Sequence, residues 1–198
     1  MNWVAHVFLS KSCVHFQLGN LIADYVKGRP WPGIHPSTEA GLHMHRTIDA
    51  FTDSHPVVRR SQQRLRERGY LRAVVIDLSY DHMLIKNWER THSTTPARTF
   101  LNKFYHEAEQ VLDSYPAEIK QFMKRIIEAD TLGRYAEVHG IQRGMRKVDR
   151  RLSERVLRKE RATDYFNDVL REYSALEQDF LEFFPALQAH VVRSINAS

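Results

Sequence analysis

Apolar residues recur at three- and four-residue steps along most of this chain, and that period predicts helices. Between residues 71 and 88 the apolar positions are Leu71, Val74, Val75, Leu78, Leu84, Ile85 and Trp88. The β-branched cluster there also suits a buried strand, but the stretch runs on through DLSYDHMLIKNW without a turn signal, which favours helix. Residues 99–115 show the same period at Phe100, Leu101, Phe104, Tyr105, Ala108, Val111 and Leu112. Punctuation marks off the rest. A helix over residues 16–27 stops at Gly28, and RPWPGIHP (29–36) is a stiff loop. Helix resumes with Ser37 or Thr38 as N-cap and runs to about Asp53. The next, over 56–68, has Pro56 in its first turn and Gly69 as its stop. Pro116 opens a helix that reaches about Ala129, and a short one over 132–139 is bounded by Gly140. Residues 144–157 form a basic helix with Met145, Val148, Leu152, Val156 and Leu157 as its buried stripe. The last long helix covers 165–184, where Pro185 is expected to interrupt it before a weaker tail to about Ile195. Nothing alternates long enough for a sheet, and no repeat or linker divides the chain. The expectation is one all-α, single-domain helical bundle over residues 1–198, with the loop 91–98 (THSTTPAR) as its best hinge.

A single cysteine, Cys13, excludes a disulfide framework and a cysteine zinc knuckle. The amino-terminal stretch lacks a basic n-region, and Asn2 and His6 interrupt its short apolar run, so no signal peptide is expected. No apolar run approaches membrane-spanning length. The expected setting is the cytoplasm, with no membrane partner. Charge changes the picture more. The chain carries +5, but residues 142–161 alone carry +6 and the remainder −1. Arg143, Arg146, Lys147, Arg150 and Arg151 are therefore candidate contacts for a polyanion. An acidic protein or a nucleic acid would fit, and the plain alternative is a solvated helix face in a basic protein.

Histidine and aspartate crowd the first half of the chain. His45, Asp49 and Asp53 are spaced i, i+4, i+8, which stacks them roughly along one helix face. Asp77 and Asp81 repeat that spacing, with His82 about 100° round from Asp81. Imidazole and carboxylate together suit Mn²⁺, Fe²⁺, Zn²⁺ or Mg²⁺. A carboxylate set among apolar residues has to be paired or metal-bound. At a phosphodiester, a metal would neutralise the non-bridging oxygens and lower the pKa of a water, and Arg46 offers a bidentate fork for the phosphate. Structural alternatives stand beside each residue. His6, in VAHVF, also suits an inward, hydrogen-bonded core position. Asp24 also suits a cap or an ion pair, and Asp49 a salt bridge. Asp53 and His55 also suit a turn before Pro56, and Asn20 a cap or a hydrogen-bond positioner. The spacing supports a metal or phosphate site and names no substrate.

Four stretches, in order, add more: MNWVAHVFLS, GNLIADYVKG, GLHMHRTIDAFTDSHP and YDHMLIKNW. Together they resemble the bacterial acyl carrier protein phosphodiesterase family, also called holo-acyl carrier protein hydrolase. The resemblance is strong over residues 1–90 and looser through EFFP (182–185) to the carboxyl end. It implies a metal-dependent reaction, with manganese favoured and Mg²⁺ or Fe²⁺ as alternatives. That reaction removes 4′-phosphopantetheine from a serine of holo-acyl carrier protein. It also implies distant kinship with the all-α HD phosphohydrolases. This chain departs from their hallmark, having no His-Asp dipeptide and the reversed pair Asp81-His82. The motifs carry over His6, Asn20, Asp24, His45, Arg46, Asp49, Asp53, His55, Asp81 and His82. On that basis the metal ligands are expected among His6, Asp24, His45, Asp49, Asp81 and His82. Asp24, His45, Arg46 and Asn20 are the expected catalytic residues, with Asp53, His55 and Asp77 around them. The resemblance gives the basic stripe an acidic carrier protein to meet, in preference to nucleic acid, with Arg59, Arg60, Arg64 and Arg66 as rival contacts. Two other functions remain open at this point: hydrolysis of nucleotides or other phosphodiesters, and a non-enzymatic helical module binding RNA or an acidic protein.

Overall fold

The computed structural model describes residues 1–66, 69–91 and 94–196. Every regular element among the described residues is helical, and none is a strand. The order is α1 (Trp3–Phe8), α2 (Val14–Ile22), α3 (Pro36–Ser54), α4 (Pro56–Arg64), α5 (Arg72–Lys86) and α6 (Trp88–Thr91). There follow α7 (Ala97–Val111), α8 (Ala117–Glu128), α9 (Val138–Asp149), α10 (Glu154–Leu157), α11 (Phe166–Arg171) and α12 (Tyr173–Asn196). Short 3₁₀ turns occupy Leu112–Ser114, Gly133–Ala136 and Ala162–Tyr165. The expected helix end at Arg68 and the middle of the loop 91–98 lie outside the described residues. No described helix is long and apolar enough to cross a membrane.

Helices α2 and α3 touch backbone to backbone, and glycine permits it. A Cβ on Gly19 would lie 2.0 Å from the Thr38 carbonyl oxygen, and one on Gly41 would lie 2.2 Å from that of Phe16. No side chain fits at either position. Helix α1 then packs against both α2 and α5. It has only six residues, so most of its backbone donors lack an intrahelical partner. Asp81, fully buried on α5, supplies what is missing by accepting the N–H groups of Val4 at 2.8 Å and Ala5 at 3.0 Å.

Helix α12 closes the bundle over α3, α4 and α5. Phe180, Phe183 and Phe184 are fully buried there, against Tyr80 of α5. A buried carboxylate locks the contact: Asp179 accepts from Arg60 (2.8 Å), Arg64 (2.7 Å) and Ser61 Oγ (2.8 Å).

Several expected boundaries move, each for a local reason. The helix over 16–27 ends at Ile22. Lys27 and Gly28 then adopt left-handed geometry, and the Gly28 N–H reaches back to the Ala23 carbonyl at 2.7 Å. This exposes Asp24 on a turn instead of burying it in a helix. Helix α3 is capped by the His35 side chain, which accepts from the Ser37 N–H, rather than by Ser37 or Thr38. Gly140 lies inside α9 and does not bound it. A Cβ there would meet the Arg134 carbonyl oxygen at 2.1 Å, so the glycine lets α9 rest on the preceding turn. The basic helix stops at Asp149, which turns aside to accept from Ala162 N–H (2.6 Å) and Thr163 Oγ1 (2.7 Å). Of its expected stripe only Met145 is fully buried; Val148, Leu152, Val156 and Leu157 are half-buried. The last long helix divides at Glu172, and Pro185 does not interrupt it. An interior proline costs about 3 kcal/mol, and burying Phe183 and Phe184 returns roughly 1.5–3 kcal/mol each.

Gly41→Ala should destabilise the fold by about 1–3 kcal/mol, as overpacking does, because backbone atoms cannot yield as a side chain would. Chemical denaturation monitored by circular dichroism measures this.

Asp179→Asn should cost about 3 kcal/mol at neutral pH, the low end for breaking a buried pair, because Arg60 and Arg64 regain water. Hydrogen bonds from Arg64, Ser61 and Arg60 outweigh burial and depress the Asp179 pKa. Its stabilisation is therefore complete above the unfolded value near 3.9 and lost as pH falls through the folded value. The gap between wild type and variant should close below about pH 4 in thermal melts.

Candidate metal centre

Helices α1, α2 and α3 converge to build the site. His6 is carried inward by its apolar neighbours Val4, Ala5 and Val7 and is 0% exposed. His45 comes from α3, and the two rings stack with centroids 4.0 Å apart. Both imidazoles commit Nδ1 to the same residue. His6 Nδ1 donates to the Asn20 side-chain oxygen at 2.8 Å, and His45 Nδ1 donates to the Asn20 main-chain carbonyl at 2.8 Å. The Asn20 amide cannot be flipped, since its nitrogen donates to the His6 carbonyl and to Ser10 Oγ, both at 2.9 Å.

With Nδ1 fixed, both Nε2 atoms turn to Asp49. His6 Nε2 lies 3.2 Å from Oδ1, and His45 Nε2 lies 3.0 Å from Oδ2 and 3.1 Å from Asp24 Oδ1. One potential ligand atom each from His6, His45 and Asp49 falls within a 4.8 Å span. Asp24 stands at the edge, with a side chain 80% exposed.

The charges follow from this packing. Burial lowers the His6 pKa and outweighs the pull of the nearby Asp49 carboxylate, so the ring is neutral. With its proton on Nδ1, the Nε2 lone pair faces Asp49 Oδ1 and the Met1 carbonyl, each 3.2 Å away. Acceptors facing one another with no hydrogen between them are an arrangement that a cation satisfies. Burial also opposes charge on His45, but hydrogen bonds to Asp24 and Asp49 prevail and push its pKa up to about 9. Burial disfavours the Asp49 carboxylate, yet the hydrogen bond from His45 and the Met1 ammonium hold it well below the usual range. The hydrogen bond from His45 likewise lowers Asp24. The α-amino group of Met1 is buried 3.3 Å from Asp49 and 3.0 Å from Asp77. Burial works against its charge, but Asp77 and Asp49 raise its pKa to about 10.

The expected site residues thus separate into groups. His6, Asn20, His45 and Asp49 meet, with Asp24 adjoining. Arg46 is exposed and its guanidinium donates to the Gly28 carbonyl at 2.6 Å. There it lines a shallow depression of about 480 Å³ together with Asp24, Lys27, His45 and Asp49. Asp77 reaches the site only through the Met1 amine. Asp53 is exposed, and burial and Asp77 raise its pKa. His55 accepts from the Val57 N–H and caps α4, as a turn former would.

Asp81 and His82 do not join the cluster. Asp81 is spent on α1, and burial pushes its pKa up to about 7 against the pull of the Val4 and Ala5 N–H groups. His82 places Nδ1 2.7 Å from the Tyr135 carbonyl and Nε2 2.7 Å from the Tyr173 hydroxyl. Both have their hydrogen-bonding capacity taken up elsewhere in the bundle. Conversely, Asn2, Trp3 and Tyr25 sit in a pocket beside Asp24, although sequence reasoning gave them no role. Their only signal was membership of the MNWVAH and GNLIADYVKG motifs, where an aromatic reads as core.

A family model described as acyl carrier protein phosphodiesterase matches residues 1–187. Two acyl carrier protein phosphodiesterases, from Escherichia coli O157:H7 strain EC4115 and from E. coli K12 strain DH10B, are each 29% identical to this chain over 194 residues, covering 98% of both partners. No solved structure matches the chain significantly.

Removing the amide that orients His6 should weaken divalent metal binding. Asn20→Ala is expected to raise the Mn²⁺ dissociation constant by about 10–100-fold, the usual cost of losing a ligand-orienting hydrogen bond. His82→Ala should leave the constant unchanged, even where it lowers the melting temperature. Titration calorimetry on the folded variants tests both.

Proposed function

Since the chain belongs to the acyl carrier protein phosphodiesterase family, we propose that it hydrolyses the phosphodiester joining 4′-phosphopantetheine to the serine of holo-acyl carrier protein. The products are apo-carrier protein and 4′-phosphopantetheine, and the place of action is the cytoplasm. The observation that carries this proposal is the coincidence of a family match over nearly the whole chain with a buried His6–His45–Asp49 cluster that opens beside an exposed arginine. Kinship with the HD phosphohydrolases belongs to the same proposal. An all-helical frame around clustered histidine and aspartate supports it.

His6 Nε2, His45 Nε2 and Asp49 would hold a divalent ion, with Asp24 as a further ligand; Mn²⁺ is favoured and Mg²⁺ or Fe²⁺ are alternatives. Such an ion supplies charge neutralisation at the phosphate oxygens and a water of lowered pKa. The chain's own residues do the rest. Asn20 fixes both rings through Nδ1, so binding would need His45 to shed its Nε2 proton but neither ring to turn. Arg46, tethered to the Gly28 carbonyl, presents its fork to a phosphate in the depression. Before an ion binds, Asp24 accepts from His45 Nε2, and its exposed carboxylate is placed to follow that nitrogen onto the ion.

The basic stripe is assigned to carrier-protein docking. Arg146, Arg150 and Arg151 are exposed at the end of α9 and just beyond it. Arg143 contributes beside them while paired with Glu137, and Lys147 lies half-buried over Trp3. Three of the rival arginines are engaged, Arg60 and Arg64 holding Asp179 and Arg66, just beyond α4, holding Asp168, while Arg59 stands exposed on α4. This favours α9 as the docking face, with charge acting chiefly on encounter and orientation.

Incubation with holo-acyl carrier protein and Mn²⁺, followed by mass spectrometry of the carrier, should show loss of one phosphopantetheine group. The triple variant Arg146→Ala, Arg150→Ala, Arg151→Ala should lose about tenfold in kcat/KM at low ionic strength, with the difference shrinking as salt rises. Carrier left intact by folded, metal-loaded protein that cleaves nucleotides instead would overturn the assignment. An unchanged triple variant would remove α9 from the docking face.

A further inference from the structure

A second cavity, of about 400 Å³, adjoins the metal centre and shares Asp24 with it. Its volume lies within the roughly 300–1,000 Å³ range of small-molecule sites. Three aromatic rings form one wall: Tyr25 stacks on Phe122 at 4.2 Å, and Trp3 meets Phe122 edge-on at 5.8 Å. Val74, Leu78 and Val148 supply an aliphatic wall. The backbone of α9 adds to the lining at Gly144. A Cβ there would lie 2.7 Å from the Tyr135 hydroxyl and 2.8 Å from Leu78 Cδ2.

Polar groups are few and placed. Asn2 reaches the lining and donates to the Tyr135 hydroxyl at 2.9 Å. Lys147 and Arg151 bring positive charge to the same cavity, with Lys147 Nζ 5.9 Å over the Trp3 ring. Such a lining suits a slender, largely aliphatic chain interrupted by amides: apolar walls for its methyl and methylene groups, and an amide side chain and a phenol for its carbonyls and N–H groups. The connection through Asp24 puts one end of that chain at His45 and Arg46, where a phosphate belongs.

We propose that this cavity binds the pantetheine arm of the substrate, with its phosphate end at Asp24 and its thiol end among Trp3, Phe122 and Val148. The proposal rests on the phosphodiesterase function proposed above. It adds that recognition of the arm is built into the enzyme beside recognition of the carrier protein, with Arg151 standing at the border between the cavity and the arginines outside.

Free pantetheine, which carries neither phosphate nor protein, is the direct probe. Titrating it into the wild-type protein should change the tryptophan emission, and the change should vanish in Trp3→Phe, which keeps the wall but removes the indole. Val148→Phe, which fills the cavity, should abolish the pantetheine response. It should also raise KM for holo-carrier protein by about tenfold, with kcat within twofold and Mn²⁺ affinity unchanged. Where Val148→Phe fails to fold, the pair of wild type and Trp3→Phe decides the matter alone. Wild-type enzyme that releases phosphopantetheine from the carrier but shows no Trp3-dependent response to pantetheine would overturn this subsite and leave the function intact. Failure of the wild type to act on the carrier at all would instead overturn the function on which the subsite rests.

Discussion

The close approach of α2 and α3 is the constraint on which the rest of the molecule depends. Gly19 and Gly41 remove the side chains that would hold the helices apart; Asn20 directly follows Gly19, and His45 lies one helical turn after Gly41. The contact that packs the two backbones therefore also brings the Asn20 carbonyl within 2.8 Å of His45 Nδ1. Helix α1 packs on α2 and α5, and its placement puts His6 flat against His45. Packing and chemistry cannot be adjusted separately here, because the same main-chain atoms serve both.

Two aspartates with similar local surroundings in sequence meet opposite fates in this frame. Asp49 and Asp81 both lie on amphipathic helices beside apolar neighbours. Asp81 points at the free N–H donors at the start of a helix and holds α1 in place, while burial still pushes its pKa up to about 7. Asp49 points at two imidazole nitrogens and an ammonium group, so its charge is stabilised by groups that a metal ion could replace. Burial alone does not mark a functional carboxylate. The nature of the donors facing it decides whether it is structural or reactive.

That distinction explains what the sequence made legible. The His45–Asp49 pair was readable because i, i+4 neighbours on one helix face each other whatever the rest of the chain does. His6 was readable as a candidate ligand only through the motif around it, since a histidine among Val4, Ala5 and Val7 looks like core, and it is core. Asp81 and His82 have the right residue types, but the direction they face depends on which helix crosses α5, and that is tertiary information. Helix boundaries failed for the same reason. Pro185 and Gly140 carry strong local signals, yet buried phenylalanines override the first and a close backbone contact uses the second. The all-helical, single-domain character was legible throughout, since the 3.6-residue period repeats along the chain and no alternation competes with it.

The cluster and the neighbouring cavity draw on different parts of the chain. The clustered histidine and aspartate atoms come from α1 and α3, held by α2, whereas α5, α8 and α9 supply half of the cavity's lining residues. The two share α1, which brings His6 to one and Trp3 to the other, and the turn that carries Asp24. Mutations accumulating in α5, α8 and α9 can therefore reshape the cavity without disturbing the His6–His45–Asp49 cluster. A lineage built on this frame is free to drift in the shape of its cavity while the histidine and aspartate beside it stay fixed.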